Sequence, residues 1–405
     1  MSTRALITGL GIVAPTGVGT ETYWHATLNG KSGIDRIRAF DASAYSTTLA
    51  GNVDSFAAAE YVPGRLIVQT DRWTQLGLAA AAMALRDAGV DPKALPEYGL
   101  GVITAASSGG NEFGQREIEQ LWTRGPGAVG VYQSIAWFYA ASTGQISIHE
   151  RAKGRCGVIV AEQAGGLDVL GHSRRVLRED GGVLISGGTE APLSPYALVC
   201  QTRSGRLSTA GNPEECYLPF DRRAAGFVPG EGGAMLIVES AESARERGAR
   251  TPYGEIAGYA ATFDPRPGSG RPPALCRAIT LALADARLGP EDVDVVFADA
   301  AADPELDRIE ADALASVFGP HGVPVTAPKT MTGRLYAGGA ALDAATALLS
   351  MRDSVIPPTV GTARPDPAYG LDLVCGTPRQ ARVRTALVLA RGAGGFNAAL
   401  VLTAP

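Results

Sequence analysis

LAAAAMALRDAGVDP at 78–92, followed by LGVITAASS at 100–108, decides the fold, because the same succession returns in the second half of the chain. There AITLALADARLGPEDVD at 278–294 runs into VVFADAAAD at 295–303. Each is an alanine-rich helical stretch, a glycine-containing stop, a short acidic loop and a β-rich run. A second pair recurs in the same order. GLDVLGHSRRVLREDGGVLISGG at 166–188 has helical apolar spacing through Leu167, Leu170 and Leu177, and GAALDAATALLSMRDSVIPPT at 339–359 follows PVTAPKTM with similar periodicity. A third pair is strand-like, GEGGAMLIVE at 230–239 and RGAGGFNAALVLT at 391–403. Strands alternating with helices predict βαβ crossovers and mainly parallel sheets buried on both faces, an α/β class. The halves meet near 240–255, where the charged run ESAESARERGAR (239–250) gives way to a new strand over 253–260. The expected division is therefore 1–250 and 251–405.

The 405 residues are 45% hydrophobic and 19% charged, a composition able to fill one large core or two linked ones. A net charge of −5 without a basic stripe argues against nucleic acid as a partner. No run of about 18 apolar residues predicts a membrane span, and RALITGLGIVAP at 4–15 reads as a strand and turn rather than a secretory leader. The cytoplasm is the expected location. Cys156, Cys200, Cys216, Cys276 and Cys375 are scattered without a CxxC pair and read as buried free thiols. The four histidines (His25, His149, His172, His321) form no HxxxH pair, so neither a metal nor a cofactor is expected.

Two motifs mislead. TGLGIVAPTG at 8–17 contains GxGxxA after a strand, but Pro15 and Gly17 interrupt the helix whose N–H groups would meet a pyrophosphate. NGKSG at 29–33 ends like a phosphate-binding loop, yet His25 stands where its first glycine is required.

Several other segments together resemble the β-ketoacyl synthases of the thiolase superfamily. They are ITGLGIVAPTG at the start, PFDRRAAGFVPGEGG at 219–233, PKTMTGRLYAGGA at 328–340 and GAGGFNAA at 392–399. The resemblance spans nearly the whole chain and implies a thiolase fold, two pseudo-duplicated halves in α-β-α-β-α layers. It also implies a cysteine that carries the acyl chain as a thioester and two histidines that aid malonyl decarboxylation and steady an oxyanion. At the cysteine's place, in VIVAEQAGGLD (158–168), this chain has Gln163, whose carboxamide cannot ionise or hold a thioester. At the first histidine's place, anchored on Asp307, Arg308 and Glu310, it has Asp299; at the second, after KTMTG, it has Arg334. Lys329 alone of the usual polar set is retained, and Cys156 lies seven residues early, before the strand.

AEQAGGLD at the vanished cysteine is similar to the chain-length factors (ketosynthase beta subunits) of type II polyketide synthases. Such a resemblance implies a heterodimer with an active ketosynthase alpha subunit, fed by an acyl carrier protein with a phosphopantetheine-bound polyketide. The non-catalytic partner then shapes the tunnel and helps set the number of condensations. The alternative is a malonyl-carrier-protein decarboxylase supplying the starter unit through Gln163; an anionic Asp299 argues against it, because it would oppose a developing enolate. Asp299 and Arg334 are expected to form a charge-assisted contact, with Lys329 or Glu310 sharing it.

SSGGNEFGQREIEQLW at 107–122 resembles the helix near the tunnel end, which implies tunnel roles for Asn111, Gly114 and Ile118 at i, i+3, i+7 spacing. Plain helix packing at Gly114 and core at Ile118 are the competing readings. These residues are small, which predicts a fairly long tunnel. At 393 the family's gating phenylalanine is replaced by Ala393. Tyr132, Trp137, Phe138 and Tyr139 crowd the segment 131–147, which reads either as monomer core or, by the resemblance, as dimer interface.

Overall fold

The structure, a computed structural model, describes residues 3–266 and 268–405. The first half runs β1 (Ala5–Ala14), α1 (Arg72–Ala88), β2 (Leu100–Ala105), α2 (Asn111–Arg124), β3 (Cys156–Ile159), α3 (Gly165–Asp180), β4 (Val183–Glu190) and β5 (Gly232–Ser240). The second repeats that order with β6 (Gly254–Phe263), α4 (Leu275–Ala286), β7 (Val295–Phe297), α5 (Pro304–Phe318), β8 (Pro324–Thr326), α6 (Ala337–Asp353), β9 (Thr385–Gly392) and β10 (Phe396–Thr403). The spatial orders match too: β3-β2-β4-β5-β1 in one half and β8-β7-β9-β10-β6 in the other. All three repeated sequence pairs fall on equivalent elements, α1 with α4, α3 with α6, and β5 with β10.

The expectation of mainly parallel sheets needs correcting. In each half two strand pairs are parallel (β2 with β3 and β4; β7 with β8 and β9). The other two are antiparallel (β5 with β4 and β1; β10 with β9 and β6). For β9 and β10 the cause is local: Gly394 and Gly395, at positive φ, close a tight reversal, and a parallel return needs a long crossover instead. β1 and β6 touch at their ends, Leu6 opposite Glu255, so one sheet order runs through both halves.

Strand alternation sorts side chains into layers. Ala234, Leu236 and Val238 of β5, with Ala398, Leu400 and Leu402 of β10, pack inward on Leu167, Leu170, Ala344 and Leu348 of the central helices α3 and α6. The opposite faces turn outward, Met235 and Ile237 onto α1 and Ala399 and Val401 onto α4. The layers are thus α1, sheet, α3 with α6, sheet, α4 with α5. Every residue of α6 from Ala337 to Met351 is buried, so small and apolar residues occupy all its faces rather than one stripe. Alanine richness in α1 and α4 has a steric reason. A Cβ at Gly9 of β1 would collide with the Ala84 carbonyl, and one at Gly258 of β6 with that of Ala282, so helix and strand backbones touch. The glycines of TGLGIVAPTG therefore serve packing, and β1 continues through them.

Candidate functional site

Gln163 sits on the sharp turn between β3 and α3. The preceding Glu162 has φ 50°, and Gln163 itself is fully buried. Asp299 follows β7, Lys329 and Arg334 lie in the loop from β8 to α6, and the second half's glycine turn brings Arg391 beside them. The four positions singled out in the sequence, Gln163, Asp299, Lys329 and Arg334, are thereby gathered.

Their geometry is a closed network. Gln163 Nε2 donates to Asp299 Oδ1 at 2.9 Å. Arg334 Nη2 lies 2.9 Å and 3.0 Å from the two Asp299 carboxylate oxygens and donates also to the Arg391 carbonyl at 2.7 Å. The Arg391 backbone N–H gives Asp299 Oδ1 a further donor at 2.8 Å. Arg334 also lies over the Phe227 ring, 5.3 Å from its centroid. Burial alone would push the Asp299 carboxyl up, but the charges of Arg334, Lys329 and Arg391 outweigh it and hold it below the usual carboxylate range. Arg334, whose burial disfavours its charge, is held cationic chiefly by Asp299.

The expected Asp299–Arg334 contact is present, but its neighbours differ from expectation. Lys329 Nζ donates to the carbonyls of Ala298 (2.6 Å) and Asp299 (3.1 Å) and pairs with Asp343 at 2.8 Å rather than with the Asp299 carboxylate. Glu310 shares no cation; it accepts the backbone N–H groups of Asp299 (2.7 Å) and Ala300 (2.8 Å) and so fixes the loop. Burial and the Asp299 charge push its carboxyl up. Asp343 and Arg391 escaped the sequence reading. The signal for Asp343 was an acid isolated within a run that is otherwise small and apolar.

A cavity of about 740 Å³ is walled by Glu162, Phe227, Asp299, Arg334 and Tyr336 but not by Gln163. Ala393 lies on its rim, its N–H donating to Glu162 Oε2 at 2.9 Å. Entry therefore stops at the ion pair. Chemically, the Gln163 carboxamide has no proton to lose and the Asp299 carboxylate is paired with Arg334, so neither of these two positions offers a nucleophile or a free base.

Other sequence expectations fare differently. Asn111 opens α2, Gly114 is buried, and Ile118 is 53% exposed, so the plain-core reading of Ile118 fails for this chain alone. The cavity above does not reach them. Trp137, Phe138 and Tyr139 are 46%, 50% and 37% exposed and Tyr132 is half-buried, so the monomer-core reading fails there as well. Cys156 is the first residue of β3 rather than a residue before it, and it is exposed, as is Cys200; only Cys216 is buried. The free-thiol expectation holds, and the burial expectation holds only for Cys216; Cys156 is open because β3 lies at the sheet margin. Among the described residues no cluster of His, Cys, Asp and Glu could hold a metal ion, and no helix is long and apolar enough to cross a membrane.

Asp307, an anchor for locating Asp299, is fully buried and accepts the Phe220 N–H at 2.8 Å. Burial pushes its carboxyl up to about 8. Its folded value exceeds its unfolded one, so its contribution is full below about pH 4 and is lost as pH rises toward 8. Relative to Asp307→Asn, the unmodified chain is expected to lose stability between pH 5 and 8, by up to about 1.4 kcal/mol per pH unit. Paired thermal melts across that range measure it; parallel curves would refute the assignment.

The sequence profile "Beta-ketoacyl synthase, N-terminal domain" matches residues 3–244, and the corresponding C-terminal domain matches residues 253–363. The chain belongs to the β-ketoacyl synthase family. Within it, the chain is 63% identical over 98% of its length to the tetracenomycin polyketide synthase ketoacyl synthase beta subunit of Streptomyces glaucescens, covering 97% of that protein. Among solved structures it is similar to the ishigamide ketosynthase/chain length factor (TM-score 0.89, 27% identity, all of both chains). It is equally similar in shape to a chain of a complex between a type II polyketide synthase acyl-carrier protein and its hexaketide-bound ketosynthase (TM-score 0.89, 28% identity, all of both chains). The thiolase fold seen in the paired five-strand orders is thus shared along the entire β-ketoacyl synthase chain.

Proposed function

We propose that this β-ketoacyl synthase is the non-catalytic chain-length factor of a type II polyketide synthase. It pairs with an active ketosynthase alpha subunit in the cytoplasm, shapes the polyketide tunnel and helps set the number of malonyl condensations. The observation that carries the proposal is Gln163, buried and bonded to a neutralised Asp299 where the family resemblance implies a thioester cysteine. The acyl carrier protein presents its cargo to the alpha subunit, whose thiol performs the chemistry.

Two surfaces support the pairing. Among the described residues β3 ends the sheet order with an unpaired edge, which in an isolated chain invites a further strand. The segment 131–138 leaves Val131, Ile135, Trp137 and Phe138 exposed and Tyr132 half-buried, and Val160, just past β3, is exposed too; apolar side chains left open in this way suit a lasting interface. The tunnel role falls to Asn111, Gly114 and Ile118, with Ile118 covered by the partner.

The test is to purify the chain alone and with its cognate ketosynthase. Carbon dioxide release from malonyl-loaded carrier protein and polyketide formation are then followed in both. Little activity alone and condensation only with the partner are expected. Decarboxylation by the chain alone, abolished by Gln163→Ala, would replace this reading with the decarboxylase.

A further inference from the structure

The helix α2, which carries Asn111, Gly114 and Ile118, cannot cap itself. Its first turn opens four N–H groups, as any helix does, and its N-cap residue is Gly110, which has no side chain to offer. Gly110 is forced at that position, because a Cβ there would strike the Ala136 carbonyl. Two buried carboxylates from other elements hold this start instead, Asp71 by capping the first turn of α2 and Glu190 by binding the loop that leads into it. Asp71, the N-cap of α1, accepts the Trp73 N–H of its own helix on Oδ1 at 3.1 Å and the Phe113 N–H of α2 on Oδ2 at 2.8 Å. Glu190, at the end of β4, accepts the Ser107 N–H on Oε1. Its Oε2 takes the Ser108 hydroxyl at 2.7 Å and the Ser108 N–H at 3.3 Å. The Gly110 N–H, in turn, donates to the Trp137 carbonyl at 3.1 Å.

We propose that Asp71 and Glu190 are positioning residues that fix the register of α2, and so the fidelity with which this chain sets polyketide length. The inference rests on the tunnel role given to α2 and adds what holds that helix in place. Both acids stand on rigid elements, a helix start and a central strand end, so they transmit the position of the core to the first turn of α2. Both are buried without an ion pair within 4 Å among the described residues, a costly arrangement offset by the converging N–H donors, by the Ser108 hydroxyl at Glu190 and by the charge of Arg116 near Asp71. Burial pushes each carboxyl up to about 7, against the pull of those donors. The clamp also touches the degenerate site. Ser107 Oγ accepts the Ala337 N–H at 3.3 Å, and Ala337 begins α6 three residues beyond Arg334.

A carboxylate serves this purpose where an amide does not. Each acid uses both oxygens on different donors, and asparagine or glutamine has one oxygen only. Asp71→Asn therefore satisfies either α1 or α2, and Glu190→Gln either Ser107 or Ser108. Loosening the first turn of α2 lets the tunnel end vary from molecule to molecule.

The test is product analysis of the reconstituted heterodimer carrying Asp71→Asn, Glu190→Gln, the milder Ser108→Ala, or Gly114→Phe as a control on the tunnel itself. Size-exclusion chromatography first establishes that each pair assembles. The ratio of off-length to full-length polyketide is expected to rise by about fivefold in Asp71→Asn and Glu190→Gln, and by less in Ser108→Ala. A role in stability alone lowers total product and leaves that ratio unchanged, and this outcome in assembled pairs overturns the proposal. Should the two acid variants fail to assemble, Ser108→Ala decides: an unaltered ratio there rejects the clamp. If Gly114→Phe alters length and none of the clamp variants does, the clamp falls and the tunnel stands. If Gly114→Phe also changes nothing, the tunnel reading falls and takes the clamp with it.

Discussion

Arg334→Ala is expected to lower the stability of this chain by about 3–5 kcal/mol, because it strands a buried anion. Asp299 is 1% exposed and cannot recover water. The Gln163 carboxamide and the Arg391 N–H remain as donors, but neither brings a charge to the carboxylate directly. Arg391 is committed elsewhere, to Asn397 and the Leu306 carbonyl. Lys329 is occupied by Asp343. A loss of that size is a large share of the roughly 5–15 kcal/mol that keeps a folded protein intact, so assembly with the partner should fail as well. Chemical denaturation of the two chains measures the difference. Removing both charges, as in Arg334→Met with Asp299→Asn, should restore part of the loss, since the penalty lies in the unpaired ion rather than the missing contact. A fall below about 1 kcal/mol in the single variant would show that Asp299 is not ionised in the folded chain.

Gly114→Phe is expected to shorten the polyketide. A Cβ at Gly114 would lie 3.7 Å from Trp137 Cβ and 3.9 Å from Gln133 Nε2, so a first carbon fits and a ring must extend past them. The helix face it would extend along includes Ile118, which is exposed in the isolated chain and which the proposed function places on the tunnel wall. An aromatic ring there narrows the space in which the nascent chain grows. Mass spectrometry of products from the reconstituted heterodimer reads the outcome directly. Full-length product in undiminished proportion would remove Gly114 from the tunnel wall.

Much of the architecture could be read from the sequence because the chain states it twice. The three repeated pairs marked equivalent elements, and the vanished cysteine and histidines marked the site. Strand direction was less accessible. Buried strands on both faces give the same apolar runs whether their neighbours are parallel or antiparallel, so β5 offered no sign of its orientation, and for β10 the only sign was the short GAGG turn at 392–395. Electrostatic partners were partly visible. Asp299 and Arg334 were paired by their places in one motif set, but whether Lys329 would choose Asp299 or Asp343 depends on how α6 is turned, and that is settled only by packing. Glu310 looked like a charge available for a cation; in the fold it meets two N–H groups at a loop where Ala300 has φ 50°. Asp71 and Glu190 are similarly silent in sequence, since the donors they serve are backbone groups far along the chain.

Intact-mass analysis after exposure to acyl- and malonyl-loaded carrier protein tests most directly whether this subunit lacks chemistry of its own. The protein is examined alone and then in its heterodimer, with peptide mapping of any modified chain. The predicted result is an acyl increment on the ketosynthase partner and an unchanged mass for this chain in both samples. A covalent acyl group recovered on this polypeptide in the absence of the partner would contradict the account.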